Sequence, residues 1–143
     1  MSTIAEILES KTGDVIRIDG GATVFDAVKA MVEANVGALL ITDGDKITGI
    51  FTERDYLRRI AVEGRRSRDT PVSDVMSAPV LVVTQETTVE EAMALMTDRR
   101  IRHAPVVDAG TLVGMISIGD LVKFTSQKQS FQIQYLTEYI SAK

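Results

Sequence analysis

The stretch Gly49-Ile50-Phe51-Thr52-Glu53-Arg54-Asp55 returns 65 positions later as Gly114-Met115-Ile116-Ser117-Ile118-Gly119-Asp120. Each copy reads Gly, two apolar residues, a hydroxyl residue, two spacers and Asp. An apolar strand ends, the hydroxyl residue turns the corner, and a helix starts with a carboxylate in its first turn. Working outward, residues 15–57 align with 80–122 without a gap. Eight pairs are identical: Val15/Val80, Thr23/Thr88, Val24/Val89, Ala27/Ala92, Met31/Met96, Asp43/Asp108, Gly49/Gly114 and Asp55/Asp120. About two or three identities are expected by chance at average composition. The chain is therefore an internal duplication.

Each copy reads as a β-α-β-β-α unit. Val15 to Ile18 looks like a short strand, followed by an Asp19-Gly20-Gly21 turn. Thr23 starts a helix in which Val24, Ala27, Val28, Met31 and Val32 recur with a period near 3.6, and Gly37 is read as its breaker. Ala38 to Thr42 is an apolar strand, Asp43-Gly44 a hairpin signal, and Ile47 to Phe51 the returning strand. Tyr56, Leu57 and Ile60 share a face of the closing helix. Val80 to Val83, Val89 to Met96, Ala104 to Asp108, Leu112 to Ile116 and the stretch from Ser117 repeat this order. Ile4, Ile7 and Leu8, behind a Ser2-Thr3 cap, are echoed by Val72, Val75 and Met76. Glu63 to Pro71 is a polar linker whose arginines, Arg65, Arg66 and Arg68, read as a solvated loop. Met31, Met76, Met93, Met96 and Met115 read as core. The expected organisation is a first repeat over 1–65, a second over 66–125 and a C-terminal amphipathic helix over 126–143. Phe131, Tyr135 and Tyr139 line that helix, with Leu136 and Ile140 beside them. It packs either on its own domain or across a homodimer. The fold class is α/β (α+β), the two repeats packing sheet to sheet about a pseudo-two-fold axis.

Composition removes several classes of function. The 143 residues are 45% hydrophobic and 25% charged, with a formal charge of −4. Weak acidity argues against nucleic-acid binding. The chain has no Cys, so it has no disulfide, thiolate nucleophile or Cys-ligated zinc. Absence of disulfides fits the cytoplasm. No apolar run is long enough to span a membrane. The opening Met-Ser-Thr-Ile-Ala-Glu lacks the pattern of a secretion signal. A lone histidine, His103, makes no metal site.

The corner motif has two readings. Thr52-x-x-Asp55 and Ser117-x-x-Asp120 have the form of capping boxes, in which hydroxyl and carboxylate satisfy each other's backbone amides. The same groups suit a ligand. A helix start offers orphan N–H groups to an anion, and a carboxylate accepts two hydrogen bonds from a cis-diol such as ribose. Recurrence at one point of both repeats adds weight to the second reading. A nucleotide hydrolase built on the two aspartates is a third possibility, but there is no His pair, phosphate loop or metal-ligand cluster.

With Thr-Val-x-x-Ala before each long helix and Ile101-Arg102-His103-Ala104-Pro105-Val106-Val107-Asp108, these motifs resemble the CBS domain, the cystathionine β-synthase domain family. The chain is similar to a stand-alone CBS-domain pair over about residues 4–125. The resemblance implies a regulatory module, not an enzyme. Such a module binds an adenine nucleotide (AMP first; ATP, ADP or NAD), senses energy or redox state and signals to a partner protein. It implies a homodimer and no metal. It implies ribose contacts from Thr52, Asp55, Ser117 and Asp120, and phosphate contacts from Arg54, Arg102 and His103. It implies an adenine pocket at Ile16, Ile18, Gly37, Ala38, Leu81 and Val83. In the family each cleft joins one repeat's corner to the other's strand start. Thr52 and Asp55 are therefore expected with Arg102 and His103, and Ser117 and Asp120 with Ile16, Gly37 and Ala38. Arg102 also has a plain reading as an ion-pair partner and His103 as a packing residue. A ligand-independent interaction scaffold is the alternative function.

Overall fold

The computed structural model describes residues 2–11 and 14–128. The expected tail helix with Phe131, Tyr135 and Tyr139 lies outside them. The architecture is mixed α/β, with five helices and two small sheets among the described residues. Helix α1 covers Ile4–Ser10. Strand β1 (Arg17–Asp19), helix α2 (Val24–Ala34) and strands β2 (Ala38–Asp43) and β3 (Lys46–Thr52) follow. A three-residue α3 (Glu53–Asp55) runs into a π-helical stretch, Tyr56–Ala61. Two 3₁₀ turns, Ser67–Asp69 and Val72–Asp74, lead to α4 (Val89–Arg99), β4 (His103–Asp108), β5 (Thr111–Ser117) and α5 (Ile118–Lys128).

The chain forms two compact units whose limits cut across the sequence repeats. Among the described residues, one is 14–82 and the other is 2–11 with 83–128. The first unit holds β1-β2-β3, with β1 parallel to β2 and β2 antiparallel to β3. Its core is built on Val24, Ala27, Leu39, Ile41, Phe51 and Ile60, and it also takes in Val72 and Val75. The second unit holds β4-β5, and its core of Val89, Ala92, Met96, Val106, Ile116 and Leu121 takes in Ile4 and Ile7.

The echoing apolar segments have thus been exchanged, and the hydrogen bonds show how alike the two dockings are. Val24 N–H donates to Thr70 O, Val72 N–H to Ala22 O and Ser73 N–H to Gly20 O. In the other unit Val89 N–H donates to Ser2 O, Ile4 N–H to Thr87 O and Ala5 N–H to Gln85 O. The paired glycines supply the notch for this docking. A Cβ on Gly114 would stand 2.7 Å from Leu8 Cδ2. A Cβ on Gly49 would collide with Met76 Sδ and lie 3.1 Å from Ser77 O. Close approach of the exchanged segment, not a turn, is what these two glycines serve.

Both long helices start on capping boxes, Thr23 with Asp26 and Thr88 with Glu91. They end at left-handed residues, Asn35 (φ 55°) and Arg100 (φ 56°). Asn35 rather than Gly37 therefore terminates α2. Gly37 instead leaves room for Glu53, whose Oε1 would meet a Cβ there at 3.0 Å. Leu57 is exposed while Tyr56 and Ile60 pack inward. On this π-helical stretch it stands next to Tyr56 but outside the inward-facing set.

The Val80–Val83 strand is reduced to a parallel bridge between Val83 and Val106. In the first unit Leu40 N–H donates to Ile16 O. The residue matching Leu40 is Pro105, which has no N–H to donate, so the ladder is a rung short.

Candidate functional site

Each corner is the junction of a returning strand and a helix, and each is braced by the start of the neighbouring strand. Ala38 pairs with Thr52 across the first sheet, and Glu53 N–H donates to Gly37 O at 3.0 Å. His103 pairs with Ser117 across the second, and Ile118 N–H donates to Arg102 O at 2.9 Å. Within each unit the strand start lies against that unit's own corner: Gly37 and Ala38 beside Thr52, Arg102 and His103 beside Ser117.

Both corners are complete capping boxes. Thr52 N–H donates to Asp55 Oδ2 (3.0 Å) and Asp55 N–H to Thr52 Oγ1 (3.2 Å). Ser117 N–H donates to Asp120 Oδ2 (2.8 Å) and Asp120 N–H to Ser117 Oγ (3.0 Å). Beyond this the corners differ. Asp55 is only 8% exposed. Its Oδ2 also accepts from Thr52 Oγ1 (3.1 Å), and its Oδ1 accepts from Ser77 Oγ at 2.9 Å. Asp120 is half-buried, and the bonds it accepts among the described residues all fall on Oδ2. The strongest is an ion pair with Lys11, Nζ to Oδ2 at 2.8 Å. Lys11 Nζ also donates to Met115 O at 2.7 Å. Burial pushes the Asp120 carboxyl up, but the Lys11 hydrogen bond and charge, with the Ser117 bonds, outweigh it. The net result is a carboxyl held below its ordinary value.

The remaining site residues fall into exposed and buried sets. Arg54 and Arg102 are exposed; His103 is half-buried. Ile16 and Ile18 are half-buried against the first unit's core, and Leu81 is half-buried too. Ala38 and Val83 are core residues, 2% and 3% exposed. In the basic loop Arg68 stacks 3.8 Å from the Phe25 ring centroid, Arg66 pairs with Asp69 and Arg65 with Glu63.

Lys11 and Ser77 went unread in the sequence. Both come from the exchanged segments and each reaches a corner carboxylate. Their counterparts in the other repeat are Pro79 and Glu9, so comparison of the repeats gives no sign of them.

The CBS-domain profile matches residues 4–62 and 72–126. The chain belongs to the CBS-domain family. It is 43% identical over 148 aligned positions to the Arabidopsis thaliana protein named "CBS domain-containing protein CBSX3, mitochondrial", covering 97% of this chain and 72% of that one. It is 32% identical to "CBS domain-containing protein YhcV" of Bacillus subtilis, covering 82% and 84%. Among solved structures, a protein with CBS domains from Burkholderia ambifaria superposes with a TM-score of 0.86 at 45% identity, covering 90% of this chain and 96% of that one. The hexameric CBS-CP12 protein of bloom-forming cyanobacteria superposes at 0.76 and 36% identity, covering 85% and 70%. CBS-domain proteins are generally regulatory modules that bind adenosine ligands. No helix among the described residues is long and apolar enough to cross a membrane.

Proposed function

We propose that this CBS-domain pair is a non-catalytic regulatory module that binds an adenine nucleotide and signals its occupancy to a partner protein. AMP is the first candidate, with ATP, ADP and NAD behind it, and the setting is the cytoplasm. The observation that carries the reading is the Ser117–Asp120 corner. There a carboxylate at a helix start, held ionised by Lys11 and Ser117, directs its bonds to Oδ2 and leaves Oδ1 for a ribose diol. Ser117 and Asp120 take a sugar, and Arg102 and His103 take phosphate. In the other unit Thr52 and Asp55 take a second sugar with Arg54 for phosphate. Half-buried Ile16, Ile18 and Leu81 offer apolar faces to adenine, with Gly37, Ala38 and Val83 shaping the strands behind them. Neither corner calls on a metal.

A homodimer fits the exposed apolar surface of the first unit. Val32, Leu57 and Val62 are 73%, 59% and 82% exposed. Val32 and Leu57 border a cavity of about 440 Å³ whose walls include Val28, Met31, Phe51 and Tyr56. Apolar surface of this kind marks interaction sites.

Isothermal titration with AMP, ADP, ATP and NAD tests the reading, alongside mass spectrometry of small molecules released by denaturing freshly purified protein. Saturable binding of at least one compound, lost in Asp120→Ala, is expected. No binding at millimolar concentration and no released adenine compound overturns it. A ligand-independent scaffold is the second reading, and Asp55 favours it. That carboxylate is buried and accepts bonds on both oxygens from its own chain.

A further inference from the structure

The two corners present different electrostatics to a ligand, and part of the difference comes from one residue outside the repeated motif. Lys11 follows α1, in a segment with no basic counterpart in the other repeat. Its ammonium has three N–H donors. Among the described residues two are used, on Asp120 Oδ2 and Met115 O. The side chain is 36% exposed, so the ammonium is within reach of a solute. The matching carboxylate, Asp55, is met by the uncharged Ser77 hydroxyl.

A nucleoside 5′-phosphate places its anion a few bonds from its diol. A carboxylate that accepts the diol therefore repels the phosphate unless a cation stands beside it. At Asp120 that cation is present and fixed by two short bonds; at Asp55 a hydroxyl stands in its place. We infer that Lys11 is a ligand-binding residue of the Asp120 corner and makes that corner selective for phosphorylated over unphosphorylated adenosine. This rests on the adenine-nucleotide reading and adds to it a specificity-determining residue and an inequality between the two corners. The Lys11–Asp120 pair opens toward the ligand: the ammonium turns its third N–H to phosphate and keeps Asp120 ionised for the sugar. Lys11 is thus more than an anchor for the end of α1.

The test titrates the full chain and its Lys11→Met and Lys11→Gln variants with AMP and with adenosine. The ratio of the two affinities is the readout, because a purely structural role moves both ligands together. Wild type is expected to prefer AMP to adenosine, with the tighter AMP site at the Asp120 corner. Loss of one charge-assisted contact is expected to weaken AMP about tenfold or more while adenosine changes little. Lys11→Gln keeps an uncharged polar chain at this position, so it serves if Lys11→Met folds poorly. Equal weakening of AMP and adenosine, or an unchanged ratio, overturns the inference and leaves the nucleotide reading standing. Absence of binding by wild type overturns the nucleotide reading and this inference with it. Stronger salt dependence for AMP than for adenosine, reduced in both variants, is the confirming signature.

Discussion

Asp55 and Asp120 occupy the same place in the same motif, yet their surroundings differ. Asp55 is buried, and uncharged donors from Thr52 and Ser77 fill both of its oxygens. Asp120 is more open, holds its bonds among the described residues on one oxygen and faces a lysine. The motif sets the carboxylate at a helix start in both units. What meets its other face is set by the exchanged segment, which the motif does not constrain. The first unit uses its corner to fasten Ser77 and the chain around it. The second fastens Lys11, and in doing so keeps a charged group and a carboxylate edge near solvent. One motif therefore presents a carboxylate enclosed by uncharged donors in one unit and a carboxylate beside a lysine in the other.

Removing each carboxylate gives the largest expected contrast. Asp55→Ala strands the half-buried Thr52 amide and Ser77 hydroxyl, at about 2 kcal/mol of stability. Asp120→Ala breaks a partly exposed ion pair and half of a capping box, at about 1 kcal/mol. Denaturant midpoints of the two variants check this. Equal losses would erase the distinction between the corners.

The glycine notches come next. Gly49→Ala forces Met76 aside with the Ser77 backbone close behind it, and is expected to cost about 2 kcal/mol. Gly114→Ala meets Leu8 first, a side chain end that can turn, and is expected to cost about 1 kcal/mol. Gly49→Ala should also loosen Ser77 from Asp55, so a double variant with Ser77→Ala should fall short of the summed losses. Full additivity would separate the notch from the corner.

Acid provides a smaller effect with a definite sign. Burial opposes ionisation of Asp120, but Lys11 and Ser117 more than offset it, so the folded carboxyl lies below its unfolded value. The unfolded chain therefore binds the proton first. The stabilisation is complete above about pH 4, the ordinary carboxylate range, and is lost as pH falls through the depressed folded value. Lys11→Met should return the Asp120 carboxyl toward its ordinary value, seen in its NMR titration. An unmoved midpoint would mean that the Ser117 bonds alone hold the carboxylate.

These effects bear on what the sequence could show. The duplication, the α/β class and both capping boxes were legible because they recur at a fixed offset, and chance does not align eight identities. The apolar echo of Ile4, Ile7 and Leu8 in Val72, Val75 and Met76 was legible too. Its exchange was not, since a segment that packs on its own repeat and one that packs on the other have the same pattern. Gly49 and Gly114 called for a close neighbour without naming it. Lys11 and Ser77 lay beyond the repeat's reach, because each unit solves the last contact to its carboxylate with a different residue. Gly37 drew attention as a breaker because glycine ends helices so often; Asn35 took that place because its short amide side chain tolerates the left-handed region.

Pro105 offers the finest probe of how far the two units differ. In the first unit the Leu40 amide bonds Ile16 O and carries the parallel pairing out from the Arg17–Asp19 strand. In the second, Val83 N–H donates to Pro105 O and Val107 N–H to Val83 O, and the ladder has no donor to continue with at Pro105. Pro105→Leu supplies that donor with the side chain the other unit uses. It should lengthen the bridge toward Leu81, and the new amide should resist hydrogen exchange as the Leu40 amide does. The gain in stability should stay below about 1 kcal/mol. One net hydrogen bond contributes about that much, and removing proline frees the unfolded chain, which works against it. A rapidly exchanging amide at position 105 would show that Val80 to Val83 is held away from the strand by its own backbone course. The missing rung would then be a consequence of that course and not its cause.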